Sequence, residues 1–249
     1  MARVFLPAGG SGPVPVRSRS SRSRGGRLRG GAAAGLIAAG AAVLWFDACE
    51  SPGPPRPDRH AARSGAAVGP SAGPALGASV PLRLDVPKIG IHASLLQVGL
   101  DHDGSVAVPP LSRAHLAGWY DKGPSPGERG PAVLVGHVDS KKGPAVFYRL
   151  GSLRPGDTVE VTRRDGVVAT FTVDSVERVS KKHFPTQRVY GDLGFAGLRL
   201  ITCGGDFDGH SYLDNTIVYA HLAAGRRKGA SPASGSEAPS PAGSAAQKP

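Results

Sequence analysis

Two side chains in this sequence have the types and placement for nucleophilic chemistry, Cys203 and His137. Leu198-Arg199-Leu200-Ile201-Thr202 reads as a short apolar strand that ends on Cys203, and Gly204-Gly205 follows at once. Upstream, Ala132-Val133-Leu134-Val135-Gly136 is a second apolar run that delivers His137 at its own end. A thiolate attacks a carbonyl carbon, and a neighbouring imidazole can lower the thiol pKa and later protonate a leaving amine. Strand ends over a rigid sheet hold such a pair better than loops do. The glycine pair clears side chains from the backbone beside the sulfur, which suits close approach by a substrate or by oxyanion-facing N–H groups. The other cysteine is Cys49, so neither a disulfide framework nor a zinc ribbon is available. A lone free cysteine is more often a small buried hydrophobe. The glycines turn Cys203 toward the nucleophile.

The elements that position these groups read as mostly β between residues 80 and 223. Leu82-Arg83-Leu84-Asp85-Val86 alternates apolar and polar before Pro87 closes it. Asp103-Gly104 separates Leu95–Val98 from Val106–Val108 in a hairpin-like pattern, and Asp165-Gly166 joins Thr158–Thr162 to Val167–Val176 in a clearer one. Short helices are expected at Phe147–Leu150 and near Arg188–Leu193. Many short strands with little helix predict a barrel or sandwich.

The flanks differ in composition. Residues 1–29 carry seven arginines and no acidic residue, and residues 30–46 are an uncharged run of seventeen rich in Ala and Gly. That run is at the short limit of a membrane-spanning helix, with Trp45 at its far edge. A basic flank stays cytoplasmic, so the expectation is one N-terminal transmembrane helix, a single-pass membrane protein, and everything after Phe46 outside the cell. A cleavable signal peptide is the competing reading of the same run, and lipid attachment at Cys49 is disfavoured by Asp47. Residues 47–79 read as a Pro/Gly/Ala-rich spacer, and residues 224–249 as a disordered tail. Of the net charge of +11, the 80–223 segment holds 16 Lys and Arg against 15 Asp and Glu. A domain with no basic excess lacks the footprint of a nucleic-acid binder, and the basic tail suits membrane lipid instead.

Three segments resemble the sortases, and within them the actinobacterial class F type. Leu200-Ile201-Thr202-Cys203 resembles the family's TLxTC strand. Gly136-His137-Val138-Asp139-Ser140, leading to Gly143-Pro144-Ala145-Val146-Phe147-Tyr148, is similar to its histidine segment. Tyr212 through Ala220 is similar to its final strand. The resemblance implies an eight-stranded β-barrel with short helices and a site at the rim. It implies a cysteine transpeptidase that cleaves a Leu-Pro-x-Thr-Gly-like sorting motif on secreted proteins. The acyl group rests on Cys203 as a thioester and passes to an amine acceptor such as a peptidoglycan precursor. His137 acts as general acid and base, and no metal or other cofactor is implied. The family typically places an arginine on the final strand, and this strand has none. Asn215 is the residue aligned with it, as a possible oxyanion or substrate donor, against the bland reading that it closes a turn. Arg199, which shares strand parity with Cys203, is the fallback.

Other features weigh less. Asp139 reads as a turn cap rather than an orienter of the histidine. Asp101–Gly104 and Asp206–Gly209 are fragments of a calcium loop that lack its remaining ligands, and read as turns. His210 reads as a solvated loop histidine, and Trp119 and Tyr120 as packing or groove-edge residues. Other cell-wall cysteine enzymes fit worse: the Ser-His-Gly-Cys-Arg-like signature of L,D-transpeptidases is absent, and papain-like amidases place cysteine before histidine. The alternative from another class is a weak or inactive barrel that only binds. A depressed thiol pKa at Cys203 is the expectation that separates enzyme from binder.

Overall fold

A computed structural model describes residues 53–58, 60–61 and 73–227. From Pro54 onward these belong to one compact unit; a second unit, Ala8–Gly53, lies outside the described residues except for Gly53. The expected transmembrane run 30–46, the basic tail and most of the C-terminal tail therefore lie outside them, as does Cys49. No helix among the described residues is long and apolar enough to cross a membrane.

Ten strands follow in order: β1 (Pro81–Val86), β2 (Ile91–Val98), β3 (Ala117–Tyr120), β4 (Gly130–Val135), β5 (Asp139–Ser140), β6 (Gly143–Pro144), β7 (Thr158–Arg163), β8 (Val167–Ser180), β9 (Ala196–Phe207) and β10 (Tyr212–Arg227). Eight of them close into a barrel in the order β1-β2-β3-β4-β9-β10-β8-β7, with β7 pairing back onto β1, while β5 and β6 form a small ribbon. The expected eight-stranded barrel is therefore present. Two ladders are parallel, β2 with β3 and β4 with β9.

Side-chain pattern explains the two central strands. Leu198, Leu200, Ala132 and Leu134 fill the barrel interior with Leu84, Phe171, Val218 and Leu222. The opposite parity, Val133, Val135, Ile201 and Ile217, packs in a second cluster with Val189 and Tyr190 of helix α1 (Thr186–Tyr190). Strands covered on both faces read as unbroken apolar runs, which is why β4 and β9 stand out in the sequence.

The hairpin at Asp165-Gly166 forms as expected: Gly166 takes φ +78° and the Asp165 carboxylate accepts the Val167 N–H at 3.0 Å. A tight antiparallel turn also forms at Asp103-Gly104, with Gly104 at φ +78°, Asp101 N–H donating to Ser105 O at 2.8 Å and Ala107 N–H to Gly99 O at 3.0 Å. Its pairing is limited to the Leu100–Val106 bridge because β2 pairs in parallel with β3. In β1 the alternation buries Leu84 and Val86, while a bulge between Pro81 and Arg83 leaves Leu82 exposed. Phe147–Leu150 is a tight turn leading into a 3-10 turn at Leu150–Ser152. Residues 73–79, read as the end of the spacer, lie along the barrel. Gly73 N–H donates to Leu222 O and Leu76 N–H to Gly127 O, both at 2.8 Å. The buried Arg163 reaches the carbonyls of Gly77 and Pro126.

Candidate active site

β4 and β9 run parallel and their ladder stops at Val135 beside Ile201, where β4 ends and β9 runs on with β10 to Phe207. Their extensions are tied together. Gly136 N–H donates to the Ile201 carbonyl at 3.2 Å, and the Thr202 hydroxyl donates to the Gly136 carbonyl at 2.8 Å. A Cβ at Gly136 would stand 2.7 Å from the Phe147 ring, so only glycine lets the strand end sit this low. His137 and Cys203 follow directly, each 5% exposed. On its other side Cys203 faces Asn215 of β10, which in turn faces Val179 of β8; directly paired residues project to one face.

His137 and Cys203 both open on one groove of about 760 Å³, which Pro109, Leu111, Asp139 and Tyr212 also line. No hydrogen bond joins thiol and imidazole among the described contacts. His137 Nε2 instead donates to the Pro109 carbonyl at 2.6 Å. A carbonyl can only accept, so this bond places the proton on Nε2 and leaves Nδ1 as the basic nitrogen. Burial pushes the Cys203 thiol pKa up; Lys181 opposes it through its charge and a side-chain hydrogen bond, and the Asp139 carboxylate adds to the rise. The net direction is upward. Desolvation at this depth outweighs the lowering by Lys181.

The remaining sequence candidates divide. Asn215 is fully buried beside Cys203, and neither its amide nitrogen nor its oxygen finds a partner among the described residues. Arg199 lies deep under α1. It donates to the Arg188 and Leu198 carbonyls and stacks over the Tyr219 ring at 4.8 Å, and burial lowers its pKa to about 10. Those commitments hold it away from the groove. Asp139 neither caps a turn nor touches His137; its carboxylate accepts the Tyr212 hydroxyl proton across the groove. Burial and that bond raise the Tyr212 pKa.

The glycine pair has a different cause from the one its spacing suggested. A Cβ at Gly204 would meet Thr216 Oγ1 at 2.7 Å, and at Gly205, with φ +82°, it would meet Asp214 Oδ2 at 2.3 Å. The neighbouring strand demands both glycines. Asp103 accepts from Ser105, and Asp208 from the N–H groups of His210 and Ser211, so both acidic fragments are turns. His210 is exposed and borders the groove. Trp119 packs inward and donates to the Pro124 carbonyl at 3.1 Å.

Behind the cysteine, a narrow cleft is lined by Pro54, Pro55 and Arg56 together with Tyr148, Arg178 and Gly204. A Cβ at Gly151 would stand 2.1 Å from the Pro55 carbonyl, so glycine lets this segment lie flat. Spacing gave no sign of Lys181 or Tyr212 as site residues. The registers of β8 and β9 on β10, which a single sequence does not display, bring them to the rim.

A profile of the sortase domain matches residues 84–223, more than half of the chain. Many solved structures resemble the chain, three of them as follows. A Clostridium perfringens sortase D5 transpeptidase is 20% identical, with TM-score 0.43 over 58% of this chain and 78% of that one. Listeria monocytogenes sortase A is 14% identical, with TM-score 0.47 over 61% and 92%. Corynebacterium diphtheriae sortase A is 19% identical, with TM-score 0.46 over 64% and 65%. No curated protein matches the chain.

Proposed function

The chain belongs to the sortase family and is a cysteine transpeptidase, and from that premise we propose that Cys203 and His137 cut a Leu-Pro-x-Thr-Gly-like sorting motif. The observation that carries this reading is the opening of both side chains on a single groove. Cys203 Sγ attacks the threonine carbonyl while His137 takes the thiol proton. The tetrahedral intermediate collapses, the C–N bond breaks, and the imidazolium returns that proton to the departing glycine amine. A thioester on Cys203 then acylates an amine acceptor, a peptidoglycan precursor being the acceptor proposed.

The finer reading is a class F sortase. Its clients are secreted proteins with a C-terminal sorting signal, and residues 30–46 anchor it with the catalytic domain outside the cell. Support for the anchor is the uncharged run behind seven arginines. The Asn215 amide, unpartnered beside the sulfur, is proposed as one donor to the oxyanion.

The test incubates the protein with a panel of Leu-Pro-x-Thr-Gly-like peptides and a glycine amine, and follows intact mass beside Cys203→Ala. A thioacyl adduct and a ligated product, both missing from Cys203→Ala, are expected. Equal silence of both proteins across the panel would reject the proposed motif class.

A further inference from the structure

We propose that Lys181 is the cation of this catalytic site, holding the Cys203 thiolate during attack and the oxyanion that forms on the adjoining carbonyl. The inference rests on the acyl-transfer role of Cys203 given above.

Register brings the two residues together. β8 ends at Ser180, which lies opposite Asp214; one step earlier Val179 faces Asn215, and Asn215 faces Cys203. Lys181 follows as the first residue of a 3-10 turn, Lys181–His183, which sets it at the same rim as the sulfur. The turn that holds it is fixed at both ends. Ser180 Oγ accepts the Lys182 N–H at 3.2 Å, and Phe184 beyond the turn packs in the cluster over β4 and β9. Lys181 is half-buried there, whereas Lys182 and His183 are exposed.

Its charge is also uncommitted. No carboxylate pairs with Lys181 among the described residues, and Asp214, the acid nearest in register, is held by Arg178 at 3.0 Å. Arg178 itself pairs with Thr216 and lines the cleft behind the cysteine, on the face opposite to Asn215. The groove that Cys203 lines also carries His137, Asp139, Lys141, His210 and Tyr212, and the cleft behind it carries Tyr148 and Arg56, the latter paired with Asp206 at 3.1 Å. Asp139 is occupied with the Tyr212 hydroxyl, and His137 with Pro109. Of these cations Lys181 meets the thiol both as hydrogen-bond donor and as charge.

The chemistry balances without consuming it. As the S–C bond forms, the thiol proton moves to His137 and the carbonyl π pair moves onto oxygen. Lys181 keeps its three protons and stabilises first the sulfur and then the oxygen. On collapse the pair returns, the C–N bond breaks, and His137 protonates the amine.

The test measures the rate of Cys203 alkylation by iodoacetamide against pH in the full chain, for wild type, Lys181→Met, Lys181→Arg and, as control, Lys182→Met. Cleavage of a Leu-Pro-x-Thr-Gly-like peptide is followed in parallel. Lys181→Met should move the alkylation midpoint up by about one pH unit, which slows alkylation about tenfold below it. Lys181→Arg should restore the profile, and Lys182→Met should leave it in place. In cleavage, Lys181→Met should lower kcat about a hundredfold with little change in KM. A Lys181→Met profile that superimposes on wild type overturns the proposal. Unchanged cleavage by that variant also overturns it while leaving the role of Cys203 standing. A profile that moves as expected in a protein that cleaves no peptide supports the lysine–thiolate pairing and rejects the acyl-transfer reading.

Discussion

Thr202 bridges the two chains one residue before each presents its reactive group, through the bond from its hydroxyl to the Gly136 carbonyl. Thr202→Val keeps the shape and removes the donor. It should cost about 1–3 kcal/mol of stability, because the carbonyl it serves lies in a buried site. It should also lower kcat, since the His137 and Cys203 backbones are no longer tied. Urea unfolding beside peptide cleavage checks this, and wild-type values in both would show that the bond positions nothing. Asp139 acts on the same thiol in the opposite sense to Lys181. Its negative charge disfavours the thiolate, so Asp139→Asn should lower the Cys203 pKa and speed alkylation near neutral pH about twofold. Slower alkylation in that variant would refute the sign.

At the scale of elements, the end of β9 is shaped by β10. Gly205 takes φ +82°, and any Cβ there strikes the carboxylate that Arg178 holds. Gly205→Ala should cost about 1–2 kcal/mol from the backbone conformation alone, and more as Asp214 is pushed off Arg178. A lower urea midpoint together with slower cleavage is the expected result; an unchanged midpoint would mean that the strand end yields freely. This strand pair also marks where the sequence is readable. β4 and β9 are legible because both of their faces are covered, and β7–β8 because Asp165-Gly166 satisfies its turn locally. The turn at Asp103-Gly104 is legible too, but the short reach of its pairing is not, because parallel pairing of β2 with β3 is a long-range choice that no local pattern encodes. His137 is legible as a residue just past a strand end, whereas Cys203 proves to lie within β9, which runs on with β10 to Phe207 past the point where its ladder with β4 stops. The contact of Lys181 with the sulfur is not legible, since it depends on the register of three strands. Nor is the direction of the thiol pKa, which follows from depth of burial.

For the whole molecule, the stretch 73–79 belongs to the barrel's stability. Its backbone bonds to Leu222 and Gly127, its Leu76 against the core, and its Gly77 carbonyl serves the buried Arg163. A chain beginning at residue 80 should be less stable than one beginning at 73 by on the order of 3 kcal/mol. Urea midpoints of the two would decide it, and equal values would make the stretch a passive wrapping. Pro- and Gly-rich composition conceals this role, because the stretch docks through backbone groups and one leucine rather than through a periodic apolar face.

The barrel order has a practical corollary. β1 to β4 carry the imidazole, β7 to β10 carry the thiol, and these two arcs meet only along β4/β9 and β1/β7. The turn between them, residues 154–157, is exposed over Arg154, Pro155 and Gly156. A chain divided there becomes two fragments that are each chemically silent, one lacking the nucleophile and the other its proton carrier. Fused to a pair of interacting proteins, the fragments would regain turnover only when both seams zip. The parallel β4/β9 ladder would then act as the latch of a split reporter.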